Sequence, residues 1–124
     1  VFDRTVARLR DIAEALENIR QLLDEKLYAD IENDAICKAA FERFLEIISG
    51  ASRHVPQAMQ ELAPDIEWAR LRGLGNVLRH AYNRVDPQLL WGFHENGQLS
   101  RLQDAVTMLI ALAESSPQNS STQP

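Results

Sequence analysis

Residues 68–91 read WARLRGLGNVLRHAYNRVDPQLLW, from Trp68 to Trp91. Within this stretch Leu71, Leu74, Leu78, Ala81 and Val85 recur at alternating spacings of three and four. That spacing lines one face of a helix and predicts that the face is buried. The segment also carries Arg70, Arg72, Arg79 and Arg84 with no acidic residue between Trp68 and Val85, although the chain has a formal net charge of -5. A basic helix is thus set into an acidic protein.

At about 100° per residue, Asn76 and His80 stack one turn apart, and Arg72, Gly75, Arg79 and Tyr82 run down the adjacent stripe. Gly73 and Gly75 interrupt the helical pattern, each at a cost of about 1 kcal/mol relative to Ala. Two explanations stand open: another backbone or a nucleotide comes close to the helix there, or the helix is irregular.

These residues carry a resemblance. Ile66-Glu67-Trp68, Gly73-Leu74-Gly75-Asn76, Leu78, His80-Ala81-Tyr82, Val85-Asp86 and Trp91 resemble the signature of the HepT-like proteins, small all-helical members of the HEPN superfamily. Upstream, Ala39 to Leu45 and Ile47-Ile48-Ser49 are similar as well, so the likeness runs from the first helix to about Leu112. Many members are RNase toxins that pair with a minimal nucleotidyltransferase antitoxin and are dimeric. The resemblance implies an Arg, then Asn76, then His80, then Tyr82, the last being the residue to which the antitoxin attaches AMP in related toxins. Gly75 stands where that Arg is expected. Returning an arginine there is expected to return the missing cation.

Working outward, 124 residues with 45% hydrophobic and 25% charged content suit one ordinary globular domain. No window approaches a membrane span, and the start, VFDRTVARLR, has no apolar leader core, so a cytoplasmic location is expected. Cys37 is the single cysteine, which rules out an internal disulfide and a multi-thiolate metal site; its apolar neighbours predict a small core residue. His54, His80 and His94 lack metal-ligand spacing, so no metal or cofactor is expected.

A first helix is predicted over about Asp3 to Lys26 from Leu9, Ile12, Leu16, Ile19 and Leu23. Capping residues between Asp30 and Asp34 precede a second, striped by Cys37, Phe41, Phe44, Ile48, Ala51 and Val55 and widened by Ile36, Ala40 and Ile47. So wide a stripe fits either a dimer contact or a central helix in a compact monomer; the family resemblance implies a homodimer. A short helix is expected over Gln57 to Leu62 between Pro56 and Pro64. Asp86-Pro87 ends the central helix, Leu89 to Trp91 begin a short helical turn closed by Glu95-Asn96-Gly97, and Leu99 to Ala113 form the last helix. The expected class is all-α, an antiparallel up-and-down bundle of four main helices plus short ones, with residues 1–114 as one HEPN-like domain and 115–124 a disordered tail.

RNA is cleaved without a metal when one group deprotonates the 2′-hydroxyl, another protonates the leaving 5′-oxygen, and a cation steadies the phosphate between them. An imidazole titrates near neutrality, which makes His80 the acid or base candidate if it is not an idle helix histidine. Asn76 is placed to orient it, and Arg72 or Arg79 to supply the cation, unless the arginines form only a solvated face. Tyr82 reads equally as a half-buried aromatic. Two functions follow: an RNA-cleaving toxin with a nucleotidyltransferase-type antitoxin, or a catalytically silent helical module that binds such a partner or a nucleotide through the same face.

Overall fold

The structure is a computed structural model that describes residues 2–80 and 86–115. Among them there are seven helices and no strand, an all-α HEPN-like bundle as expected. The four long ones are α1 (Phe2–Leu23), α3 (Ala35–Ser52), α5 (Trp68–His80) and α7 (Gln98–Glu114). Three short ones, α2 (Tyr28–Asn33), α4 (Gln57–Gln60) and α6 (Pro87–Glu95), connect them. The expected tail lies outside the described residues, as do Ala81 and Val85 of the predicted buried face, Tyr82 and Arg84.

The predicted stripes form most of the core. Leu9, Ile12, Ile19, Phe41, Ile48, Leu102, Val106 and Leu109 are essentially inaccessible to solvent and bring together α1, α3 and α7; in α3, Leu45, which the stripe did not include, is fully buried and the predicted Phe44 only partly. α3 lies between α1 and α5, and α1 also packs against α7. The centre of the wide α3 stripe is therefore covered within the chain, while Ala40, Phe44 and Ile47 along it stay partly buried. Ile36, also predicted to widen the buried face, is 83% exposed because it occupies the first turn of α3, outside the helix sandwich.

Local chemistry sets the helix ends. Asp34 caps α3 by accepting hydrogen bonds from the Ile36 and Cys37 N–H groups at 3.0 and 3.1 Å. Asp86 caps α6 through Gln88 N–H at 2.9 Å, with Pro87 in the first turn, so the helix begins two residues before the expected Leu89 and closes at Glu95 and Asn96. Gly97, at φ 76°, makes the left-handed turn into α7. α2 was not predicted; it buries Ile31, and Tyr28 meets Trp91 of α6 edge-on at 6.4 Å. No described helix is long and apolar enough to cross a membrane.

Candidate active site

The central helix α5 buries Trp68, Leu71, Leu74, Gly75 and Leu78 and leaves Asn76, Val77, Arg79 and His80 exposed. Trp68 anchors its first turn by donating from Nε1 to the Ala63 carbonyl at 3.1 Å. The helix is regular across both glycines, which removes the irregular-helix explanation.

Close approach explains Gly75. The Ser49 hydroxyl of α3 accepts from Gly75 N–H at 2.9 Å and donates to the Arg72 carbonyl at 3.1 Å, so one side chain joins two backbone groups of α5. A Cβ on residue 75 would stand 2.9 Å from Ser49 Oγ and 3.3 Å from Ser49 Cβ. Gly73 has no such reason: an added Cβ there would meet nothing within 4 Å, and no feature of the fold explains the glycine.

The basic residues of the segment diverge. Arg70 pairs with Glu67 at 3.2 Å and lies over the Phe93 ring at 5.5 Å, on the α6 side. Arg72 is half-buried and donates from Nη1 to Gln60 Oε1 at 3.0 Å, towards α4 and away from His80. Arg79 leans back along its own helix, as helical side chains do, until Nη1 lies 3.0 Å from where a Cβ of residue 75 would be. Its guanidinium occupies the space from which an arginine at position 75 would project, and no described carboxylate pairs with it.

Asn76 and His80 stand one turn apart on the exposed face beside Arg79. The structure thus brings Asn76, Arg79 and His80 to one end of α5 and directs Arg72 elsewhere, while Tyr82 lies outside the described residues. Two residues that the spacing did not single out as functional, Ser49 and Arg53, hold α5 from α3. Arg53 donates from Nη2 and Nε to the same Arg72 carbonyl at 3.2 and 3.4 Å. A serine three residues before a buried Ser52, facing a helical glycine, was the available signal.

Cys37 lies within the core, where burial pushes its thiol pKa up, so the thiol stays protonated and weakly nucleophilic. Among the described residues no group of histidine, cysteine or carboxylate side chains has the arrangement to hold a metal ion.

The chain matches the family described as Ribonuclease HepT-like over residues 12–109. It is 39% identical over 83 residues to a protein named probable ribonuclease HepT from Thermococcus cleftensis, covering 67% of this chain and 76% of that one. It is 34% identical over 85 residues to MJ1380 of Methanocaldococcus jannaschii, named as an RNase, covering 68% and 78%. No solved structure matches it significantly. With the motif helix, the all-helical fold and these relatives in agreement, the chain belongs to the HepT-like ribonuclease family of the HEPN superfamily.

Proposed function

We propose that this protein is a metal-independent endoribonuclease in which Arg79 replaces the arginine absent at position 75. The observation that carries the reading is the Arg79 guanidinium lying over Gly75. The cation a phosphate needs is then retained, reached from one helical turn later. The silent-module reading rests on the loss of that cation, so the placement of Arg79 favours the enzyme.

In the reaction, His80 acts on a proton at one end of the scissile linkage. The 2′-oxygen gives its proton to a base and bonds to phosphorus, and the P–O5′ bond breaks as that oxygen takes a proton from an acid. The products are a 2′,3′-cyclic phosphate and a 5′-hydroxyl. Arg79 offers two N–H donors to the non-bridging phosphate oxygens as negative charge builds on them, and Asn76 orients the imidazole or holds a phosphate oxygen. Because the exposed face of α5 offers one imidazole, a second copy of the chain supplies the other proton-transfer group in a homodimer. In the cell the protein is a toxin held in check by a nucleotidyltransferase-type antitoxin acting at Tyr82, as the family likeness suggests.

The test is cleavage of single-stranded RNA in EDTA by wild type and by His80→Ala, Arg79→Ala and Arg72→Ala. His80→Ala is expected to remove cleavage and Arg79→Ala to lower it about 100-fold or more, as loss of a transition-state donor does. Arg72→Ala should stay within about threefold of wild type, since its guanidinium is engaged by Gln60. Cleavage that survives His80→Ala, or that Arg72→Ala removes while Arg79→Ala does not, overturns this assignment.

A further inference from the structure

A second basic feature lies beyond α5. Arg4, Thr5, Arg8, His54 and Pro56 line a cleft of about 500 Å³ where the start of α1 meets the end of α3, and among the described residues no carboxylate lines it. Arg4 and Arg8 are one turn apart on α1, so they face the same way. Arg8 does hold Asp11 at 3.2 Å, but both side chains are about half exposed (48% each). Such a surface pair is weak and leaves most of the guanidinium donors unused.

The cleft is linked to the candidate active site by consecutive contacts. Arg79 lies over Gly75; Ser49 joins Gly75 to the Arg72 carbonyl; Arg53 donates to that carbonyl; and His54 follows Arg53 in sequence and turns into the cleft. Arg53 and His54 thus span the end of α3 from α5 to α1. In a chain of net charge -5, Arg79, Arg53, His54, Arg4 and Arg8 thus form a basic run from the exposed face of α5 over the end of α3 to the start of α1.

We infer that Arg4, Arg8 and His54 form an accessory phosphate-binding cleft that holds the sugar-phosphate backbone of a single-stranded RNA whose scissile linkage lies at Arg79 and His80. The ligand chemistry is the phosphodiester. The identity of the polymer rests on the nuclease reading above, whereas the cleft itself rests on its own geometry. It would favour substrates several nucleotides long, because only these reach both ends of the run.

The experiment is fluorescence anisotropy of a labelled 16-nucleotide RNA with the full chain in EDTA, at several salt concentrations. The variants are Arg4→Gln/Arg8→Gln and, as a control that removes the same two charges elsewhere, Arg20→Gln/Arg101→Gln. Each phosphate contact to a single strand contributes about 0.7 to the slope of log K against log salt. The cleft variant should therefore lose about 1 to 1.5 of slope and bind about three- to tenfold more weakly at 50 mM salt, with the control near wild type. Circular dichroism melting confirms that both are folded.

A cleft variant with wild-type affinity and slope overturns the inference, even if inorganic phosphate or an acidic polypeptide titrated separately is found to bind there. So does a control that weakens as much as the cleft variant, since only net charge would then matter. Binding is scored apart from cleavage. A wild type that binds through the cleft without cutting removes the nuclease and keeps the cleft, and one that cuts with no effect of the variant does the reverse.

Discussion

A methyl group added at Gly73 would meet no atom within 4 Å, whereas one added at Gly75 would press on Ser49 Oγ at 2.9 Å and displace Arg79 Nη1. Gly73→Ala should therefore stabilise the fold by about 0.5–1 kcal/mol, through helix propensity and a less flexible unfolded chain. Gly75→Ala gains the same propensity but overpacks a hydrogen-bonded serine, which costs about 1–3 kcal/mol, so a net loss of about 1 kcal/mol is expected. Urea unfolding of the two variants measures the contrast, and equal midpoints would show that α3 yields at Ser49 without cost. The same geometry corrects the simple expectation that Gly75→Arg returns the missing cation. Its side chain would start in space already held by Ser49 and Arg79, so the fold should weaken and cleavage should fall rather than rise.

The helix α3 depends on one cap, because Asp34 alone satisfies the Ile36 and Cys37 N–H groups. Asp34→Ala should cost about 1 kcal/mol in urea unfolding and Asp34→Asn much less, since an amide oxygen also caps; equal losses would point to the charge instead of the cap. That helix, like α1 and α7, was legible in sequence because Cys37, Phe41 and Ile48, or Leu102, Val106 and Leu109, recur over several turns and become the core, although spacing named Phe44 where Leu45 is the fully buried residue. α2 was not, since a six-residue helix that buries only Ile31 is too short to show a period. Pro87 was read as a stop for the preceding helix, yet a proline also suits a first turn, and Asp86 beside it is the cap. At the candidate site, spacing alone grouped Asn76 and His80 with Arg72, Arg79 and Tyr82 on one side, and of these Arg72 turns instead to Gln60. Spacing could not give the direction of long arginine side chains, nor the contact of Gly75 with Ser49 across 26 positions, which exists only once α3 and α5 pack.

Across the whole molecule, the packing of α1 and α5 against α3 buries the centre of the apolar stripe that had suggested a dimer and leaves Phe44 and Ile47 partly buried and Ile36 exposed, so self-association can draw on that margin or on another face. α5 offers one: Val77, between Asn76 and Leu78, is 50% exposed beside the proposed catalytic groups. The chemistry asks for a second copy as well, since cleavage moves two protons and each α5 presents one imidazole. Light scattering at micromolar concentration should give about twice the 14.0 kDa chain mass. Val77→Lys should shift it towards the monomer, because burying an unpaired ammonium is costly, while leaving the fold intact at a half-exposed position. Cleavage should fall with the dimer, and the added positive charge excludes repulsion of RNA as the cause. Mixing wild-type chains with His80→Ala chains should then lower cleavage by more than dilution alone, since a mixed dimer holds one imidazole where the two proton transfers need two. A wild type that cuts RNA as a monomer, at concentrations where light scattering detects no dimer, would require both proton transfers to be found within one chain.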